Sequence, residues 1–284
     1  MVSAVVDERS SYALERSRQE YERLRAQSRV WESATRRLLD QISLEPGASC
    51  LDVGCGPGET MRLMAERVGP AGRVTGVDVD AAIGSEALAM LHDGGHRQCE
   101  FRQADVTGDE LPPGRFDLVY ARRLLYHLPD RVAVLARLWE AVVPGGYLLV
   151  QDYDLRAVGV LPALASVDEL RRVIVAASTA AGCDVYVGSR LPEMFVRSGA
   201  GLPDGTDVAG RLDTLGAGQA LLTDVYRSLL PTALARGISD DERATRLLSE
   251  VELDAVRFRD RAMHWPLLIG AWRRKPLVAV PERS

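Results

Sequence analysis

The chain has a single lysine, Lys275, and no basic block that stands apart from acidic neighbours. Its 35 basic residues face 40 acidic ones, for a net charge of −5. A nucleic-acid surface needs clustered positive charge, so the expected partner is neither DNA nor RNA. The four cysteines, Cys50, Cys55, Cys99 and Cys183, form no C-x-x-C pair. A chain of 284 residues buries enough apolar surface to fold without a disulfide framework. Long apolar runs are missing too: uncharged stretches such as residues 173–183 fall short of the ~18 residues a membrane helix requires. The N-terminal "MVSAVVDERSSY" meets Asp7 and Glu8 before a signal sequence could develop its apolar core. These absences predict a reduced, soluble, cytoplasmic protein without membrane contact.

Histidine is scarce as well, with four in all. His92, His96 and Cys99 in "LHDGGHRQC" span a helix end, a Gly-Gly turn and a strand start, with no fourth ligand, so no metal is expected. His264 in "MHWPLL" reads as a sheet histidine.

What is present is a rhythm. Residues 9–41 place Leu14, Tyr21, Leu24, Trp31, Leu38 and Leu39 at helical spacing, which predicts two amphipathic helices, broken by "LEPGA" at 44–48. Strands follow at 49–53, in "GRVTGVDVD", "CEFRQADV" and "FDLVYAR", and in "GGYLLVQDYD". Helices are expected between them at 59–68, 85–92 and 130–142. Short apolar strands alternating with helices predict an α/β fold, a parallel sheet with helices on both faces. Further helices are expected at 166–181 and 189–199, then a strand near "TDVAGRLDTLG". A long helical stretch over 218–258 and a last strand in "MHWPLLIGAWRR" complete the chain.

The stretch "LDVGCGPGET" carries the strongest functional signal. A strand that ends in G-x-G-x-G and opens a helix turns tightly and leaves its backbone accessible. The dinucleotide pattern G-x-G-x-x-G is not met, because Glu59 stands where its third glycine belongs. An acid there opposes a pyrophosphate, and no G-K-[ST] follows for a P-loop. Asp78 ends the second strand, where a carboxylate can accept both hydroxyls of a ribose. Asp105 ends the third, placed to accept from an exocyclic amine. With Asp52 before the glycines, these acids suit a cationic adenosine cofactor.

The ordered segments "LDVGCGPGET", "VTGVDVD", "RQADV", "FDLVYARRLLYHLPD" and "VVPGGYLLVQDYD" resemble the motifs of class I S-adenosylmethionine-dependent methyltransferases, in particular the small-molecule branch related to quinone biosynthesis. The resemblance covers about residues 45–155. It implies a Rossmann-like, mostly parallel seven-stranded sheet, with lid helices over 1–43, a cofactor-binding core over 44–155, helical substrate-pocket insertions over 156–275 and a tail at 276–284. It further implies that Asp52 and the backbone of Gly54, Cys55 and Gly56 flank the methionine part of S-adenosylmethionine, and that S-adenosylhomocysteine is the product. Asp78 would hold the ribose, Val79 the adenine face, Asp105 the adenine amine and the Val106 N–H a ring nitrogen. Arg122 would pass by the methionyl ammonium.

His127, just past the fourth strand, and Asp152, at the end of the fifth, occupy the places of the pair proposed as catalytic in small-molecule O-methyltransferases. Tyr126 stands where some relatives carry a first histidine. Tyr126 is a further catalytic candidate, Tyr21 and Gln27 are candidate cofactor contacts from the lid, and Tyr12, Tyr153, Tyr186, Phe195 and Tyr226 candidate substrate contacts. The expected activity is methylation of a small, fairly apolar molecule, O-methylation ahead of C- or N-methylation, in secondary metabolism. A cyclase-like enzyme that binds the cofactor without transferring its methyl group, and a non-enzymatic cofactor-binding protein, remain as alternatives. An apolar N-terminal helix pair would also serve a homo-oligomer.

Overall fold

The computed structural model describes Arg25, Ala26 and residues 28–277. Tyr12, Tyr21 and Gln27 lie outside these residues, as does most of the expected N-terminal helix pair. What is described of that pair ends in α1 (Glu32–Leu39), which buries Ala34, Thr35, Leu38 and Leu39. Leu38 lies over Gly270: a Cβ there would meet Leu38 Cδ2 at 2.5 Å, so the bare backbone is what admits the helix.

β1 (Ser49–Val53) and α2 (Glu59–Val68) keep the expected limits. They are followed by β2 (Arg73–Asp78), α3 (Ala81–Asp93), β3 (Cys99–Gln103), β4 (Phe116–Arg122), α4 (Arg131–Ala141) and β5 (Val142–Asp154). Two limits moved for local reasons. Asp80 caps α3, accepting from the N–H groups of Ala82 and Ile83 at 3.0 and 3.2 Å, so the helix starts four residues before Ser85. β3 stops before Asp105, whose Oδ1 accepts from the Thr107 N–H at 2.8 Å and closes an Asx turn.

The second half contains β6 (Gly159–Leu161), α5 (Ala165–Ala180), α6 (Val187–Arg197), β7 (Gly205–Ala209), β8 (Leu212–Thr214), α7 (Leu215–Ala235), α8 (Asp241–Arg257), β9 (Ala262–His264) and β10 (Leu267–Arg274). The main sheet has seven strands in the order β3-β2-β1-β4-β5-β10-β7. Its first five run parallel, and β10 is antiparallel to both neighbours. The strand order reverses between β1 and β4, which opens a crevice beyond their carboxyl ends.

Three expectations are corrected here. The strand near "TDVAGRLDTLG" is two strands, β7 on the main sheet and β8 in a separate three-stranded sheet, β6-β9-β8. The last strand is likewise split, because Pro266 lacks an N–H and the chain changes sheets between β9 and β10. The helical stretch after 218 is two helices, parted at Gly237 (φ +65°), with Asp240 capping the second through the Arg243 N–H at 2.8 Å.

Strand alternation fills both faces of the sheet. Leu51, Val53, Val119 and Ala121 pack toward Leu135 and Leu138 of α4 and Phe195 of α6. Cys50, Leu118 and Tyr120 point the other way, onto Met61 and Met64 of α2 and Leu38 of α1. A third core joins α5, α7 and α8 above the end of β5, with Leu170, Ile174, Tyr226 and Val251 inside it. Among the described residues no helix is long and apolar enough to cross a membrane.

Candidate active site

The crevice holds a cleft of about 990 Å³. Its floor is the glycine turn, where Gly54, Gly56 and Gly58 all have positive φ, at +71°, +48° and +77°. A Cβ on Gly54 would lie 3.0 Å from Leu124 Cδ1, whereas one on Gly56 would meet nothing within 4 Å. The turn's N–H groups point inward. Those of Gly54 and Cys55 donate to the Val77 carbonyl at 2.8 and 3.0 Å, and that of Gly58 to the Cys55 carbonyl at 3.0 Å. The Gly56 N–H donates to Asp78 Oδ2 at 2.9 Å. A phosphate-binding loop offers such groups to its ligand. This one does not, and it sets a carboxylate beside them.

Asp78, Val79, Asp105 and Val106 all line the cleft, as the sequence suggests, together with Gln103, Thr107 and Asp109. Asp78 also accepts from the Asp80 N–H through Oδ1 at 3.0 Å. Val79 is 41% exposed, an apolar surface presented to the cleft. Asp105 Oδ1 accepts from both the N–H and the hydroxyl of Thr107, at 2.8 and 2.6 Å, which fixes the carboxylate at the rim. Cys55 contributes to the wall, but its sulfur is buried beside Gly76 and Met61, so it offers backbone and not a thiol.

Asp52 does not reach the cleft wall. It is 1% exposed and lies under the turn, its Oδ2 buried with no hydrogen-bond partner among the described residues. Burial pushes its carboxyl up to about 7; the Arg122 guanidinium pulls the other way and the Asp78 charge adds to the rise. Arg122 lines the cleft and is tied to the N-terminal segment, donating to Ser28 Oγ at 2.9 Å and Thr35 Oγ1 at 3.2 Å. The Thr35 and Tyr120 hydroxyls both donate to Gln151 Oε1, at 2.9 and 2.8 Å.

Because the folded Asp52 binds its proton more tightly than the unfolded chain does, its contribution favours folding at low pH and is lost as pH rises through about 7. The ligand-free protein should therefore lose stability between about pH 4 and 7, by on the order of 2–4 kcal/mol from this group. Calorimetry should show that slope in the wild type and a much flatter one in Asp52→Asn.

Beyond Leu124 the chain makes a 3-10 turn, Leu125–His127, which brings His127 to the cleft wall. The turn is held from below by Asp152. Asp152 Oδ2 accepts from the Tyr126 N–H at 3.0 Å and Oδ1 from the Tyr153 N–H at 2.9 Å. Asp152 is fully buried, pushed up to about 6 by desolvation, and lines no cavity described here. Its carboxylate therefore meets the backbone of the His127 turn and neither cavity. Tyr126 stands edge-on to the His127 ring, with centroids 4.8 Å apart, and Cys183 Sγ lies 3.9 Å from His127 Nδ1.

A methyltransferase domain family matches residues 50–146, the segment that builds the glycine turn, the acids and the His127 turn. Over that segment the chain is similar to methyltransferase domains. It is 38% identical over 111 residues to nocamycin O-methyltransferase of Saccharothrix syringae, covering 39% of this chain and 40% of that protein. It is 35% identical over 120 residues to phosphoethanolamine N-methyltransferase 3 of Arabidopsis thaliana, covering 42% of this chain and 24% of that one. The chain thus spans less than half the length of these curated relatives. In fold it resembles the crystal structure of a putative methyltransferase from Bacillus halodurans, with a TM-score of 0.59, 18% identity, and coverage of 86% of this chain and 99% of that one.

Outside the matched segment, the expected substrate contacts separate. Tyr153 lines a second, smaller cavity beside the cleft, and Tyr126 lines it too. Phe195 is 0% exposed in the core between α6 and the sheet, and Tyr226 is 1% exposed among α5, α7 and α8, so neither is a cavity contact. Tyr186 is 39% exposed and stacks under Arg156, 5.4 Å from its ring centroid. The residues missed by sequence reasoning are Arg123, shared by both cavities, and Arg171 of α5. The Arg122–Arg123 doublet was a signal for the first. Arg171 has none, since its place depends on how α5 docks.

Proposed function

We propose that the protein is an S-adenosylmethionine-dependent methyltransferase acting on a small molecule, and that the cleft is its cofactor site. The observation that carries this is the inward-turned glycine loop with Asp78 hydrogen-bonded to it. Such a site rejects pyrophosphate and suits a cationic nucleoside. The buried, unpartnered oxygen of Asp52 behind the turn supports the same reading, because a nearby cation offsets the desolvation of that carboxylate. Asp78 would hold the ribose hydroxyls, Val79 the adenine face, and Asp105 with the Val106 N–H the adenine edge. Arg122, being a cation, suits the methionyl carboxylate better than the ammonium. Ser28 lines the cleft and bonds Arg122, which supports a lid role for the N-terminal segment.

When bound, the cofactor supplies a methyl group on a sulfonium, and the sulfur keeps the electron pair of the broken S–C bond as a neutral thioether. The chain's own part is placement and proton removal. Holding an acceptor in line contributes up to roughly 7–11 kcal/mol in well-oriented reactions. His127, on the wall of both cavities, would take the proton of a hydroxyl acceptor as its oxygen gains the methyl group. The second cavity, with its mainly apolar wall, supports a small, fairly apolar substrate; O-methylation in secondary metabolism is the reading proposed for it. Isothermal titration with S-adenosylmethionine and S-adenosylhomocysteine tests the site, and release of S-adenosylhomocysteine with a screened acceptor tests the reaction. Micromolar binding of both is expected; no binding to folded protein would overturn the reading.

A further inference from the structure

The second cavity, of about 90 Å³, adjoins the cleft and shares Arg123 and His127 with it. Liquid water takes roughly 30 Å³ per molecule, so the space suits a compact group of a ligand that continues into the cleft. Its wall is mainly aliphatic, from Leu155, Val158, Ile174, Leu222 and Leu229. Its charged lining is of one sign. Arg123 and Arg171 belong to it, and among the described residues no aspartate or glutamate does.

Donors in an apolar wall call for an acceptor. Among the described residues Arg171 pairs with Asp168 of its own helix at 3.8 Å, and its buried Nε has no hydrogen-bond partner. The Arg123 guanidinium lies 5.1 Å from the centroid of the Tyr153 ring, and its charge also acts on the buried Asp152 carboxyl. Arg123 is also the one non-glycine residue with positive φ, +57°, among the described residues. That conformation costs of order 1–3 kcal/mol and persists where surrounding contacts impose it. Tyr153 is 6% exposed, and its hydroxyl too is buried without a partner among the described residues. Guanidinium groups donate only, and a phenol donates readily, so the complementary group is an anionic acceptor on an apolar body.

We propose that this cavity takes the carboxylate of a small apolar organic acid, held by Arg171, Arg123 and the Tyr153 hydroxyl, as the anchor of the substrate. A phosphate head is larger than a carboxylate, and a cavity of about 90 Å³ favours the smaller anion. A carboxylate engaged by two guanidinium groups has its lone pairs occupied and is a poor nucleophile. The methyl acceptor is therefore another group of the same molecule, at the His127 junction between the cavities. This division into anchor and acceptor rests on the cofactor reading above; the preference for an anion does not.

The test uses matched probes on the full chain: benzoate, phenylacetate and isovalerate, each beside its primary amide, and phenyl phosphate. Affinities are measured by isothermal titration and ligand-observed NMR, with and without saturating S-adenosylhomocysteine. The acids should bind about tenfold or more tighter than their amides, the scale of one charge-assisted contact. Arg171→Met, which keeps the aliphatic stem, should erase that preference while S-adenosylhomocysteine affinity stays at the wild-type value. Tyr153→Phe should weaken the acids by a smaller factor. Amides that equal the acids, an undiminished preference in Arg171→Met, no binding of any acid, or tighter binding of phenyl phosphate would each overturn the proposal. The wild-type comparison of acid with amide decides even where a variant fails to fold. Preferential acid binding without S-adenosylhomocysteine binding would keep the pocket and refute the cofactor site instead.

Discussion

Asp78→Ala should weaken S-adenosylmethionine binding by about a hundredfold or more, the equivalent of two charge-assisted hydrogen bonds. Asp78 ends β2 at the floor of the cleft, and its oxygens already accept from the Gly56 and Asp80 N–H groups at 2.9 and 3.0 Å. Those bonds set the carboxylate's position before any ligand arrives, so little ordering has to be repeated on binding. Alanine removes the acceptors for a ribose and also frees the Gly56 N–H, which loosens the turn. Asp78→Asn separates the two effects. It keeps one carbonyl oxygen for the backbone but loses the charge, and should lie between alanine and wild type. Titration calorimetry gives the affinities, and circular dichroism with thermal melts shows whether the fold survives. An affinity in Asp78→Ala within about threefold of wild type, less than a single hydrogen bond contributes, would remove Asp78 from the site.

Much of the domain that carries this site is legible because its signals are local. The limits of β1 and α2 follow from an apolar run stopped by glycines and from helical spacing inside one short segment. Asp78, Asp105 and Val106 reach the cleft because strand ends in a doubly wound sheet share one rim. A position on the rim, however, does not say which way a side chain points. Successive strand residues face opposite sides of a sheet, so Tyr153 and Asp152 do not share a face. Tyr153 enters the second cavity, and Asp152 turns to the backbone of Tyr126. The same limitation hid the burial of Asp52.

Beyond residue 155 the information is tertiary. Phe195 and Tyr226 sit at helical spacing that fits a core or a pocket equally well, and packing assigns both to cores. Arg171 meets Arg123 and Tyr153 across a cavity because α5 docks over the end of β5, a contact no periodicity encodes. The left-handed backbone of Arg123 is equally silent in sequence, since that conformation is read from glycine far more often than from arginine.

His127→Ala should lower kcat by about a hundred- to ten-thousandfold on a hydroxyl acceptor, the range for loss of a positioned general base, while S-adenosylhomocysteine binding changes little. The turn that carries the ring is held by the His127 backbone N–H, which donates to the Leu124 carbonyl at 3.0 Å, and by Arg131 Nε on the Leu125 carbonyl at 2.9 Å, while Tyr126 meets the ring edge-on. Asp152 acts one step further back, through the Tyr126 N–H, so Asp152→Asn should reduce kcat less than His127→Ala does and leave the shape of the pH profile alone. Raising pH provides the sharper discrimination. Without a base, the acceptor must lose its own proton to solvent, so the His127→Ala rate should climb with pH toward the acceptor's own ionisation and recover part of the loss. A rate that is low but flat with pH would make the imidazole a positioning group. An unchanged rate would mean that the acceptor arrives already ionised or needs no deprotonation. In that case the carboxylate assigned to Arg171 becomes a candidate for the methylated atom itself, and methyl-ester formation is the product to look for.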